Sequence, residues 1–310
     1  MIWPMYSPRT PWRDDFIGIR GRQDDPTLQY HVQVWGQPSP TITPLVLLHG
    51  WMDVAASFQF VVDALGGQRW LIAPDWRGFG QTRVPATDSF WFPDYLADLD
   101  ALLDHYAPDQ PVDLLGHSMG GNVAMLYAGV RPRRVRRLIN LEGFGMPATR
   151  PMQAPARYGQ WLDQLRQVQR GEMDMRVYHD LDGVARRLIK TNPRLAPDRA
   201  AWLARQWAHE ISPDEWQIQG HPAHRITSAN LYRADETEAI HACIEAPTLL
   251  LEAEEDSLAM LWRGSYTREQ FHARLQVVPH LRRAQIADAG HMLHHDQPAA
   301  VAAWVERFLA

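Results

Sequence analysis

The chain has 310 residues, enough for one large domain or two small ones with a substantial buried core. Its 45% hydrophobic content excludes a disordered polymer, and a formal charge of -5 with both signs interspersed gives no electrostatic basis for binding nucleic acid. Cys243 is the only cysteine, which excludes an intrachain disulfide and a cysteine-ligated structural zinc site and fits a reducing compartment.

Residues 1–15 lack the continuous apolar core of a secretory signal, and no apolar run is long enough to span a bilayer, so a soluble cytoplasmic protein is expected. Residues 16–20 and 30–35 alternate as half-exposed strands do, and the turn residues of 21–27 and 36–43 make them an opening hairpin. Residues 45–48, 71–73, 114–115 and 138–141 are short apolar runs separated by helical patterning, the signature of strands buried on both faces. Their alternation with helices predicts a parallel sheet covered by helices. The five arginines within 131–137 read as a solvated connection. Strand-like runs return at 248–251 and 284–287, followed by a final helix over 298–309.

Between residues 145 and 236 the pattern changes, with amphipathic helices predicted at 161–170, 184–190, 200–209 and 215–219. A crossover between neighbouring parallel strands needs about a dozen residues or more. The excess here predicts an inserted helical cap, dividing the chain into a first core segment (1–145), the cap (146–236) and a second core segment (237–310).

The chemistry concentrates at Gly116-His117-Ser118-Met119-Gly120, which follows a strand-like run at 111–115 and precedes an Ala-rich helix over 122–128. A serine flanked in this way sits on a sharp strand-to-helix turn that small neighbours allow to close, and the helix N-terminus directs unpaired N–H groups at a developing oxyanion. Ser118 is therefore the candidate nucleophile. A serine hydroxyl needs a base and a group that orients the base. His291, preceded by Gly290 in the loop after the last apolar run, is the candidate base; His294 and His295 share its residue type. Glu252, Glu254, Glu255 and Asp256 follow the run 249–251. Asp256 is the chosen acid, Glu255 is a rival on composition, and Glu142 after the run 138–141 is a less favoured position.

In this chain order the serine turn, Asp256 and Gly290-His291 resemble the α/β-hydrolase family. His49-Gly50-Trp51 is similar to the family's oxyanion loop, Asp75-Trp76-Arg77-Gly78-Phe79-Gly80-Gln81-Thr82 to its D-x-R-G-x-G-x-S turn, and Ala253-Glu254-Glu255-Asp256 to its G-x-x-D acid turn. Ala253 and Thr82 depart from the usual glycine and serine without touching the chemistry. The resemblance implies an α/β fold with a mostly parallel eight-stranded sheet flanked by helices, Asp256 as the triad acid, and an oxyanion hole made by the backbone N–H groups of Trp51 and Met119. It covers both core segments and leaves the cap aside; residues 49–58 are also reminiscent of the serine hydrolase-like proteins. Relatives that are haloalkane dehalogenases or epoxide hydrolases carry an aspartate where Ser118 stands, so the serine implies acyl transfer to water without metal or organic cofactor. His49 is read as fixing its loop, and Asp75 with Arg77 as a buried pair holding two loops together.

The expected activity is cleavage of a carboxylic ester or related acyl substrate. A C–C bond hydrolase, thioesterase or lyase on the same triad, or a ligand-sensing receptor of the same fold, are the alternatives. The aromatics Tyr158, Trp161, Trp202, Trp207, Trp216 and Tyr232 either shape an apolar or aromatic acyl site or pack the cap on the core. Oligomeric state is not legible.

Overall fold

The computed structural model describes residues 5–19 and 28–310. In chain order its elements are β1 (Arg13–Gly18), β2 (Gln29–Trp35), β3 (Leu45–Leu48), α1 (Gln59–Val62), β4 (Leu71–Pro74), α2 (Pro93–Tyr106), β5 (Val112–His117), α3 (Met119–Val130) and β6 (Val135–Leu141). Then follow α4 (Ala154–Gln169), β7 (Val177–Tyr178), α5 (Leu181–Thr191), α6 (Pro197–Trp207), β8 (Ala208–Ser212), β9 (Glu215–Ile218) and α7 (Ala234–His241). The chain closes with β10 (Thr248–Ala253), α8 (Ser257–Trp262), α9 (Arg268–Arg274), β11 (Leu281–Ile286), α10 (Leu293–Asp296) and α11 (Pro298–Leu309).

Eight strands form one sheet in the order β1-β2-β4-β3-β5-β6-β10-β11. From β4 onward all neighbours are parallel, and β1 and β2 are antiparallel at one end. The apolar runs are continuous because successive side chains enter two different cores. Val46 and Leu48 face the layer of Leu99 and Leu103 from α2 and Val123 and Tyr127 from α3, whereas Leu45 and Leu47 face Phe58, Val61, Val301 and Val305.

Two expectations change here. The alternating residues of β2 are not half-exposed but almost wholly buried, because its polar members find partners: His31 pairs with Asp75, and Trp35 donates to Gln59. Only the edge strand β1 is half-exposed, and the turn expected at 21–27 lies outside the described residues. Within the excursion between β6 and β10, residues 215–219 are not helical. Trp216 and Ile218 alternate on β9, which pairs with β7 and β8 in a small antiparallel sheet, and both pack against the α5–α6 cluster. The excursion is therefore four helices with a three-stranded sheet.

The sheet sets the place of the site. Chain order reverses at β3, which pairs with β4 on one side and β5 on the other, and ligands in open α/β sheets bind beyond the strand C-termini at such a switch point. Leu48 stands opposite Gly116 and His117 opposite Leu141. The loop after β3, the turn after β5 and the first residue after β6 consequently meet at one edge.

Candidate active site

Ser118 occupies the expected turn between β5 and α3, with φ 50° and ψ -114°, a conformation that non-glycine residues rarely adopt. The turn needs small neighbours on both sides: a Cβ at Gly116 would lie 2.3 Å from the Gly120 carbonyl oxygen, and one at Gly120 would lie 2.1 Å from that of Leu48. Ser118 N–H donates to the Leu141 carbonyl at 2.8 Å, which fastens the elbow to β6.

His291 arrives from the loop after β11. Its Nε2 lies 3.0 Å from Ser118 Oγ, and its Nδ1 lies 3.3 Å from Glu142 Oε2. The loop is held in place by Gly290 N–H donating to Asp296 at 2.9 Å, and by His117 Nε2–H donating to the His291 carbonyl at 2.8 Å. Serine, histidine and carboxylate thus form one hydrogen-bonded chain.

The carboxylate in that chain is Glu142, and Asp256 does not take part. Asp256 is exposed and caps α8, accepting from Ala259 N–H through Oδ1 at 3.0 Å, while the partner of His291 Nδ1 is Glu142. The neighbouring acids are engaged as well: Glu255 with Arg194 at 2.8 Å, Glu254 with Asp288 N–H at 2.8 Å, and Glu252 with His272 at 2.8 Å. Glu142 is the first residue after β6, directly beside the serine turn, with φ 56°. Its buried side chain accepts from Ala253 N–H through Oε1 at 2.7 Å, leaving Oε2 for His291. The carboxylate beside His291 thus follows β6, one strand nearer the serine turn than β10. The available sequence signal was a glutamate immediately after an apolar run.

The loop that carries Trp51 is built on His49. Its Nε2 accepts from Trp76 N–H at 2.8 Å, and its Nδ1–H donates to the Gly50 carbonyl at 2.7 Å. Complete burial lowers its pKa, so the ring stays neutral and fixes the loop that carries Trp51. Met119 N–H opens α3 and has no acceptor within the helix. Asp75 and Arg77 are structural, though not as a pair: Asp75 accepts from His31, Ala55 N–H and Gln81 N–H, whereas Arg77 grips Asp98 through Nε and Nη2 and Asp94 through Nη1.

The excursion lies against this edge. Trp51 Nε1–H donates to the His224 carbonyl at 3.2 Å, and the His224 ring is stacked between Phe79 and Phe90 with centroids 3.8 and 3.9 Å away. A cleft lined by Phe90, Trp91, Trp161, Ala223 and Ile226 and by the polar Ser89, Thr227, Ser228 and Asn230 borders the same segment. Trp202 packs with Tyr6, Trp12 and Phe60, and Trp207 Nε1–H donates to Asp53 at 2.9 Å, so these two aromatics brace the structure. Tyr158 is exposed. Among the described residues no helix is long and apolar enough to cross a membrane.

A family model described as the alpha/beta hydrolase fold matches residues 43–298. The chain is 25% identical over 281 residues to a cis-3-alkyl-4-alkyloxetan-2-one decarboxylase of Shewanella oneidensis, covering 86% of this chain and 81% of that protein. It is 33% identical over 118 residues to a serine hydrolase-like protein of Danio rerio, covering 38% of this chain and 35% of that one. Among solved structures, a thioesterase domain from a curacin biosynthetic pathway superposes with TM-score 0.80 over 96% of this chain and 99% of its own, at 22% identity. The match to the family model over most of the chain, together with the parallel sheet and the serine elbow, makes the protein a member of the α/β-hydrolase family.

Proposed function

We propose that the protein is a serine hydrolase of acyl substrates, with Ser118 as nucleophile, His291 as general base and acid, and Glu142 as the carboxylate that orients the imidazole. The observation that carries this reading is the continuous contact from Ser118 Oγ to His291 Nε2 and from His291 Nδ1 to Glu142. Nδ1–H donates to the buried carboxylate, so the Nε2 lone pair faces the hydroxyl. As Oγ attacks the acyl carbonyl, Nε2 takes its proton, and the oxyanion is held by the Trp51 and Met119 N–H groups. Collapse expels the alcohol or thiol, which recovers that proton from His291. Water then repeats the sequence on the acyl-enzyme, releasing the carboxylic acid and restoring Ser118.

An apolar or aromatic acyl group is supported by the rings of Phe90, Trp91 and Trp161, which share their cleft with the polar Ser89, Thr227, Ser228 and Asn230. Turnover of p-nitrophenyl esters and acyl thioesters of graded chain length tests this. A burst of one leaving group per chain, absent in Ser118→Ala, is expected; inactivity on every oxyester and thioester refutes it. A second reading rests on the Shewanella oneidensis relative, whose named substrate is a four-membered cyclic ester. Release of carbon dioxide from an oxetan-2-one, with no hydroxy acid formed, would favour a lyase over a hydrolase. A cytoplasmic location is part of the proposal and is supported by the exposed lone Cys243, which a reducing compartment keeps as a thiol; recovery of the native protein in the soluble cytoplasmic fraction tests this.

A further inference from the structure

Beside the serine turn lies a second cluster of polar side chains outside the hydrogen-bonded chain on which the acyl chemistry just proposed rests. Asp53, His117 and His294 are 3%, 2% and 0% exposed. They come from three separate segments: the loop after β3, the last residue of β5, and α10. Each offers one atom able to bind a metal, and these atoms lie within 4.8 Å of one another. Asp53 Oδ2 and His294 Nε2 stand 4.0 Å apart, too far for a hydrogen bond.

Among the described residues, four polar atoms of this cluster have no hydrogen-bond partner. Asp53 satisfies Oδ1 with Val54 N–H, Trp207 Nε1–H and the Ser57 hydroxyl, yet Oδ2 has none. Both ring nitrogens of His294 are unpartnered and buried. The case of His117 is the sharpest. Its Nε2 contacts the His291 carbonyl oxygen, which only accepts, so Nε2 carries the proton and Nδ1 is a bare lone pair, buried and unpartnered. Gly50 keeps space open beside it, because a Cβ there would lie 3.0 Å from Nδ1.

A buried carboxylate oxygen with no donor costs several kcal/mol, and so do unsatisfied imidazoles. A hydrophobic core has no use for three such residues converging. A cation answers three of the four unpartnered atoms together, since it supplies positive charge to Asp53 Oδ2 and accepts one lone pair each from His117 and His294, whose second nitrogen keeps its proton. Two imidazole nitrogens and one carboxylate oxygen are the donor set of a borderline dication such as zinc, and not of calcium or magnesium, which demand oxygens. Ligand atoms around tetrahedral zinc stand about 3.4 Å apart, so side-chain shifts of less than about 1 Å close the site.

The geometry points to a transition-metal site formed by Asp53, His117 and His294, taking a zinc-like dication next to Ser118 and His291. Its ligands adjoin Trp51, Ser118 and His291 in the chain. An ion there ties together the loops that carry the oxyanion donor, the nucleophile and the base, which makes it a structural or modulatory ion and not a participant in acyl transfer.

The test is titration of chelator-stripped full-length protein with Co2+, followed by displacement with Zn2+. One Co2+ per chain, with the visible bands of a tetrahedral N/O site and a raised melting temperature, is expected. Ser118→Ala should bind identically, which separates this result from the fate of the hydrolase reading. Asp53→Asn and His294→Phe should each weaken binding by about tenfold or more. His294→Phe keeps the aromatic volume and removes two unsatisfied nitrogens, so its metal-free form should be as stable as the parent. The proposal is overturned if the parent protein binds no stoichiometric Co2+, or if binding survives in both variants; a shared ordered water or a purely structural histidine would produce the first result.

Discussion

Replacing Glu142 with glutamine isolates the role of its charge with little disturbance of the fold. The glutamine carbonyl can still accept from Ala253 N–H, so the β6–β10 junction is retained. The other end becomes an amide. Facing His291 Nδ1 with an NH2 group favours the tautomer with the proton on Nε2, and that nitrogen can no longer take the proton of Ser118. A carboxylate 3.3 Å from an imidazolium contributes about 5 kcal/mol at an effective dielectric of 20. That corresponds to roughly four orders of magnitude in rate, in agreement with the ~10⁴-fold loss when a serine triad exchanges its carboxylate for an amide. The assay is kcat for a p-nitrophenyl ester, with far-ultraviolet circular dichroism as a control for folding. Asp256→Asn keeps the helix cap, since asparagine caps as well as aspartate, and should leave kcat unchanged; Asp256→Ala should cost about 1 kcal/mol of stability. A collapse of kcat in Asp256→Asn with normal turnover in Glu142→Gln would refute the reasoning.

Three further outcomes follow from the same structure. Burial holds His224 at a pKa of about 3 and His241 at about 4, and it also lowers that of His49. The unfolded chain therefore takes up protons that the folded chain refuses, and stability present above pH 6.5 is lost as the pH falls, by about 2 kcal/mol per such histidine at pH 5. His31, raised by Asp75 and Asp14 against the opposing effect of its burial, offsets part of this; a melting temperature that does not fall between pH 7 and pH 5 would contradict the assignment. Gly116→Ala puts a Cβ 2.3 Å from the Gly120 carbonyl oxygen, so the variant should be insoluble or strongly destabilised in thermal melts. Arg77→Ala takes one ion partner from the fully buried Asp98, which keeps the Tyr30 hydroxyl, and should cost about 3 kcal/mol in denaturant unfolding, with KM unchanged in the fraction that stays folded.

Much of the core was legible because each buried strand is a short apolar run, and a run read from composition maps directly onto β3, β4, β5, β6 and β10. The strand β11 begins earlier than its apolar signal, since Leu281–Ile286 carries Arg282, Arg283 and Gln285 at a sheet edge that tolerates them. The turn around Ser118 was readable because steric closure demands glycine at fixed offsets. The carboxylate beside His291 was not readable in the same way: Glu142, Glu252 within β10 and the three carboxylates after that strand all follow apolar runs, and what separates them is register. His117 stands opposite Leu141, so Glu142 projects beside the nucleophile, while Asp256 lies four residues beyond Glu252 and meets a helix start. Residues 215–219 were misread for a related reason, because five residues of mixed polarity fit either period and only pairing with β7 and β8 decides.

The central claim is that Ser118 is an activated nucleophile, and the most direct test is mass spectrometry of the native protein after a brief exposure to a fluorophosphonate. The account predicts one adduct per chain, located on the peptide that contains Ser118, absent from Ser118→Ala and formed far more slowly in Glu142→Gln. An adduct on another residue, or equal labelling of Ser118→Ala, would contradict it.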